Sequence, residues 1–149
     1  MMRKFVSLII VAALLCGCST QPSIRYTDEM FDPTPAFVEY GVASFYTANW
    51  LGIGEQTADG KRFHQYEMTA AHKTLPLGTF VRVTNLKNGR TTIAKITDRG
   101  PYIRGRIVDL SKTGARDIGI LDAGVAQVRL EALVPRHARI ATAVGGGSF

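Results

Sequence analysis

Two short stretches of the chain hold side chains able to do chemistry. In Thr97-Asp98-Arg99-Gly100-Pro101 a carboxylic acid ends a strand-like run, and a glycine and a proline follow it. A sharp turn there would hold the carboxyl at the lip of a sheet, where it could give or take a proton. Arg99 beside it offers a planar fork for sugar or carboxylate oxygens. The plainer alternative is that Asp98 only accepts hydrogen bonds from turn amides, as aspartates in turns commonly do. In Thr69-Ala70-Ala71-His72, small residues let neighbouring backbones come close, and His72 is expected to face the same cleft as Asp98. A lone histidine serves as readily as a hydrogen-bonded structural residue. Eleven positions before His72, where a carboxylate would make a natural partner, stands Lys61.

The elements that must position these residues read as short strands. Residues 38–46, 79–86, 91–98, 105–110 and 126–134 are rich in β-branched or aromatic residues or alternate polar with apolar. Val81 and Val83 alternate with Arg82 and Thr84; Val128, Leu130 and Ala132 alternate with Gln127, Arg129 and Glu131. Asn88-Gly89 between two such runs is a hairpin signal. One helix is expected after Ser111, which can cap it, with Gly119 as its stop and Gly114 as a weak point. Several short strands with few helices suggest a small closed barrel.

A chain of 149 residues with a formal net charge of +6 is one domain plus extensions. Residues 1–18 stand apart. Arg3 and Lys4 precede an apolar run, Phe5 to Leu15, too short to span ~30 Å of hydrocarbon as a helix, and the pattern fits a secretory signal. The ending Leu15-Cys16-Gly17-Cys18 resembles the lipobox of bacterial lipoproteins, which implies cleavage before Cys18 and lipid attachment to its thiol. Ser19 is not the aspartate of inner-membrane retention, so the periplasmic face of the outer membrane is the expected location. Both cysteines lie in this leader, which leaves none for a disulfide or a cysteine metal cluster in the mature domain. Three prolines and scattered polar residues make 19–38 read as a flexible tether. The folded domain is expected over 39–135, and 136–149 as a loose glycine-rich tail.

Four motifs recur together in one family. Gly-Val-Ala-Ser-Phe-Tyr at 41–46, Thr-Ala-Asp-Gly-Lys-Arg-Phe at 57–63, the run 69–90 beginning Thr-Ala-Ala-His, and 97–111 with Asp-Arg-Gly-Pro resemble rare lipoprotein A, a family of endolytic peptidoglycan transglycosylases. The resemblance implies a mainly β fold, a six-stranded double-psi β-barrel with one or two short helices, as in expansins. Many members add a C-terminal glycan-binding repeat domain, which is not expected here. By the resemblance Asp98 is the catalytic acid and His72 a residue needed for activity. Asp109 matches an aspartate of expansin barrels, or is a structural bond to the turn before the Ser111 helix. Tyr46 lies near the expected groove, as a sugar-stacking ring or as core. The implied reaction needs one carboxyl group. It protonates the glycosidic oxygen between N-acetylmuramic acid and N-acetylglucosamine, then deprotonates the 6-hydroxyl that closes a 1,6-anhydro ring. The implied partner is the peptidoglycan strand; no metal or cofactor is implied.

At Lys61 the chain departs from the family, which has a glutamate there. An ammonium cannot accept a proton as a carboxylate does. Three readings follow: Asp98 works alone with Lys61 binding substrate, Glu55 or Glu67 substitutes, or the barrel is a non-catalytic, expansin-like peptidoglycan-binding lipoprotein. Residues 82–106 hold seven Lys and Arg against Asp98 alone. Such a face suits acidic groups on the glycan or its peptides. Nucleic acid is not an expected partner, since no reading motif is present.

Overall fold

The computed structural model describes residues 25–46 and 53–136, without the side chains of 53 and 54. The leader with Cys18, residues 47–52 and the tail 137–149 lie outside the described residues. The elements are β1 (Phe37–Phe45), β2 (Ile53–Gln56), β3 (Arg62–His64), β4 (Thr69–His72), β5 (Phe80–Asn85), β6 (Thr91–Asp98), β7 (Arg106–Leu110), α1 (Lys112–Asp117) and β8 (Ala126–Leu133). Six strands close a barrel in the order β1-β7-β4-β6-β5-β8, and β2 and β3 form a separate two-stranded hairpin. Two parallel pairs, β1/β7 and β4/β6, are joined by antiparallel pairings elsewhere around the barrel. This is the double-psi β-barrel.

The period-two alternation sets which side chains fill the interior. Val81, Val83, Ala94, Ile96, Val108, Leu110, Val128 and Leu130 are fully buried and form one cluster with Ala43 and Ala70. Ala115 and Ile118 of the α1 region and Ile120 complete it. The helix follows its expected signals: the Ser111 hydroxyl accepts from Gly114 N at 3.3 Å, and Gly119 takes φ +72°, a backbone state that favours glycine just past a helix end. The hydroxyl of Ser111 also donates to the Glu67 carbonyl at 2.6 Å, fastening the helix start to the segment before β4. The β5–β6 connection is a five-residue loop, 86–90, wider than a two-residue Asn-Gly turn. Asn88 is drawn aside to donate to the Ile118 carbonyl at 3.1 Å.

One expectation is corrected. Residues 25–36, read as part of a tether, pack on the outside of the barrel. Phe31 is 2% exposed in a second cluster with Ile93 and Leu133, flanked by Tyr26 and Phe80. Asp28 accepts from Arg82 at 2.7 Å, and Asp32 N donates to the Val134 carbonyl at 2.9 Å. Burial of one phenylalanine stabilises by about 1.5–3 kcal/mol, which holds a proline-containing segment in place despite its lack of regular pattern. Glu131, on the polar side of the β8 alternation, is 3% exposed. Its carboxylate meets Arg129 at 2.8 Å and Arg82 at 3.5 Å, so the outward face of β8 is covered by its own counter-ions.

Candidate active site

Strand pairing brings two carboxylates into one row. Ala71 of β4 lies opposite Asp98 of β6 on one side and Asp109 of β7 on the other. Asp109 in turn pairs with Ser44 of β1, whose hydroxyl donates to Asp109 Oδ1. Residues paired across strands share a face, so Asp98, Ala71, Asp109 and Ser44 line one outer strip of four adjacent strands. The small residue sits between the acids and leaves only a methyl group there. On the β4/β6 pair the register moves from Ala70–Ile96 to Ala71–Asp98, passing over Thr97. Such an extra residue bends the strand and re-aims its side chains, which turns Asp98 outward although Ile96 points into the core.

The Asp98 carboxyl is half-buried and oriented by backbone. Its Oδ1 accepts from Arg99 N at 2.8 Å and from Ala58 N at 3.0 Å. The turn-amide reading of Asp98 accounts for one oxygen, while Oδ2 has no partner among the described residues. Ala58 belongs to the turn of the β2–β3 hairpin. That turn closes through Thr57 N to the Lys61 carbonyl at 2.7 Å, needs φ +85° at Gly60, and leans on β6 through Asp59 N to the Thr97 carbonyl at 3.1 Å.

Tyr46 follows Ser44 by two positions and shares its face. Its ring packs on Phe63 of β3, with centroids 4.3 Å apart. Burial above all, and then the charges of Asp98 and Asp109, hold its phenol well above the ordinary value, against a downward pull from the hydroxyls of Thr69 and Thr97. The phenol therefore stays protonated. Tyr46 Oη and Thr69 Oγ1 are both buried, and neither has a hydrogen-bond partner among the described residues.

His72 does not join Asp98. Alternation along β4 sends it to the face opposite Ala71, where it is 2% exposed. Its Nε2 is 3.0 Å from Glu39 Oε2 of β1, and its Nδ1 accepts from Leu75 N at 3.0 Å and Thr74 N at 3.2 Å. With Nδ1 accepting, the ring proton is on Nε2 and goes to Glu39. The carboxylate partner of this histidine thus comes from β1 and not from position 61. Arg99 is also engaged: its Nη1 donates to the Leu75 carbonyl at 2.8 Å and the His72 carbonyl at 3.3 Å, not to an open groove. Asp109 bonds Ser44, not the turn before α1.

Between the hairpin and the outer face of β4 and β6 lies a cavity of about 570 Å³. Thr69, Thr97 and Lys61 are among its lining residues. Glu67 lines it and Glu55 does not. Ser44 was within reach of sequence reasoning, since a period of two from Tyr46 puts it on the same face. Glu39 was not: it is 33 residues from His72 and meets it only through barrel closure.

Residues 38–130 match the family described as "Lytic transglycolase", which is built on the double-psi β-barrel. The "Endolytic peptidoglycan transglycosylase RlpA" of Pasteurella multocida is 42% identical over 121 residues, 80% of this chain and 40% of the relative. That of Vibrio cholerae is 46% identical over 97 residues, 65% of this chain and 36% of the relative. The chain therefore spans well under half the length of these relatives. Among solved structures, a Streptomyces papain inhibitor superposes with a TM-score of 0.53 at 23% identity, covering 69% of this chain and all of the inhibitor. The apo expansin of Clavibacter michiganensis gives 0.52 at 24% identity, covering 66% of this chain and 51% of the expansin. Both share the fold with this chain.

Proposed function

As the chain belongs to the lytic transglycosylase double-psi β-barrel family that includes the rare lipoprotein A proteins, we propose that it cleaves the N-acetylmuramic acid–N-acetylglucosamine bond of peptidoglycan strands and leaves 1,6-anhydro ends. The observation that carries this reading is the Asp98 carboxyl: one oxygen is held by two backbone amides, the other has no partner among the described residues, and the group stands in a row with Asp109 on an outward face. In the reaction Asp98 Oδ2 carries the proton. It passes to the glycosidic oxygen as the C–O bond breaks, and the same oxygen then takes the proton of the 6-hydroxyl as that oxygen closes on the anomeric carbon. No water is consumed, so a second carboxylate acting on water is not required. Asp109, held by Ser44, faces the positive charge that develops at the anomeric carbon. The phenol of Tyr46, kept neutral by burial and then by the charges of both acids, is available as a hydrogen-bond donor. His72 acts at a distance: it fixes the loop after β4, that loop holds the Arg99 side chain, and the Arg99 amide orients Asp98.

The same proposal places the mature protein on the periplasmic face of the outer membrane, anchored by lipid on Cys18. The leader motif supports this part.

Mass spectrometry of purified glycan strands incubated with the protein tests the reaction. Anhydro-ended fragments are expected. Reducing ends would mean a hydrolase, and intact strands with measurable binding would mean an expansin-like binding module. Either result overturns the transglycosylase reading.

A further inference from the structure

We infer that Tyr102, in the loop after Asp98, is the ring on which a sugar of the bound strand stacks, so that this loop holds the glycan at the acid. The inference rests on the proposed function and names a further binding residue of that site.

The loop of residues 99–105 leaves β6 at Asp98 and enters β7 at Arg106, on the strand that carries Asp109. In the barrel β4 lies between those two strands, so the loop crosses the end of β4. The row of acids runs through the last residue of β6 and the last but one of β4. The loop therefore forms a rim along that row, and Tyr102 is its middle residue. Asp98 Oδ1 is held from two sides, by Ala58 N of the hairpin at 3.0 Å and by Arg99 N of this loop at 2.8 Å. A strand whose glycosidic oxygen meets Oδ2 lies close to the loop as well as to the hairpin.

Among the described residues Tyr102 is the most exposed large apolar side chain, at 85%. A single exposed hydrophobe is ordinary on a protein surface, but this one is carried on a loop fastened at both ends. Arg99 Nη1 ties the start to the carbonyls of His72 and Leu75, and at the other end the Gly105 carbonyl accepts from Val42 N at 3.1 Å. Arg106 N donates to the Ile103 carbonyl at 3.2 Å and closes a turn within the loop. The Cδ2–Cε2 edge of the ring lies 3.6–3.7 Å from the place a Cβ would take on Gly100, whose φ of +114° favours glycine. The ring thus lies back beside the turn that follows Asp98, placed before a ligand arrives, which lowers the entropy lost on binding. The faces of N-acetylglucosamine and N-acetylmuramic acid are made of axial C–H groups. These meet the negative face of an aromatic ring and leave water as they do so, while a phenol adds a hydroxyl at the edge for the sugar's polar groups. Tyr46 cannot offer its ring as freely: it packs on Phe63 with centroids 4.3 Å apart, and Phe63 is itself 5% exposed. The stacking role that the sequence offered to Tyr46 falls to Tyr102.

The test uses the full chain as wild type, Tyr102→Ala, Tyr102→Phe and Tyr102→Trp, with circular dichroism to check folding. Leu86→Ala is the control, since Leu86 is 51% exposed in the loop before β6, at the end away from Asp98. Binding of purified glycan strands and release of anhydro products are both measured. Tyr102→Ala is expected to weaken binding about tenfold, equivalent to about 1.4 kcal/mol. The loss should be the same at low and at high salt, because no charge is removed. KM should rise by more than kcat falls, the pattern of a contact made alike in ground and transition states. Tyr102→Phe and Tyr102→Trp keep a ring face and should bind within about threefold of wild type. Strand binding should also change the fluorescence of Tyr102→Trp beyond any change in wild type, whose single tryptophan is Trp50. Leu86→Ala should match wild type. Wild-type affinity in folded Tyr102→Ala would overturn the inference, as would an equal loss in Tyr102→Phe or an indole at 102 that the strand does not disturb. Anhydro products with unchanged binding in Tyr102→Ala would sink the stacking role and leave the reaction standing. Weakened binding in Tyr102→Ala, with no cleavage by wild type, would do the reverse.

Discussion

At the scale of single residues, the proposed function gives Asp98 and His72 different kinds of work, and two substitutions separate them. Asp98→Asn keeps the acceptor that takes the amides of Ala58 and Arg99 and removes the oxygen proposed to carry the proton. The fold and strand binding should persist while lytic turnover falls on the order of 10²-fold or more, read from anhydro-product release. Unchanged turnover in a folded variant would remove Asp98 from the chemistry. His72→Ala strands the amides of Thr74 and Leu75 and leaves Glu39 without its partner. Each buried orphan costs about 1–3 kcal/mol, so a loss of about 2–4 kcal/mol is expected in denaturant melts. Activity should fall with it. His72→Asn, whose side-chain oxygen can still accept from the loop amides, should recover part of both. A histidine that moved protons would show no such recovery of turnover.

At the scale of elements, the segment before β1 belongs to the domain. Phe31 closes the outer cluster, and the Arg136 Nε–H donates to its carbonyl at 2.9 Å, so the two ends of the barrel chain meet there. The isolated bridge between Phe31 and Pro135 adds to this junction. Truncating a buried phenylalanine to alanine typically costs about 3–5 kcal/mol. For a domain of this size that corresponds to a fall in Tm on the order of 10–20 °C. Phe31→Ala should show it by calorimetry. A shift of only a degree or two would mean that 25–36 is the tether its prolines suggest. The same segment contributes Tyr26 to the cavity wall, where burial and then the Glu67 charge raise its phenol above the ordinary value.

At the scale of the whole molecule, the lipid anchor proposed at Cys18 would decide where the barrel works. If Cys18 takes the lipid, Cys18→Ser should leave an unacylated precursor, and mass spectrometry of the wild-type membrane form should find an acylated N-terminal Cys18. A mature N-terminus elsewhere would end the anchoring proposal. An anchored barrel with a surplus of cations then meets an acidic, insoluble substrate, and its attachment to purified sacculi should weaken as salt rises from about 0.05 to 0.5 M, because the Debye length shrinks over that range.

The strands around the site were legible in sequence because alternation is a local property. A period of two in Val81–Val83 and in Val128–Leu130–Ala132 states which face is buried before any partner is known, and Ser111 and Gly119 state where a helix starts and stops. The motif around Asp98 was legible for the same reason, since a turn needs only its own residues. What the tertiary structure alone decided were relations between strands. The row Asp98–Ala71–Asp109–Ser44 depends on a parallel pairing with a register step at Thr97. The partner of His72 depends on β1 meeting β4 across the closed barrel. Whether Phe31 lies in a tether or a cluster, and whether Glu131 faces water or two arginines, depends on what packs over the outer face of the sheet. Side-chain direction follows from the chain's own pleat, but side-chain company follows from closure, and closure is a property of the whole sheet that no single segment carries.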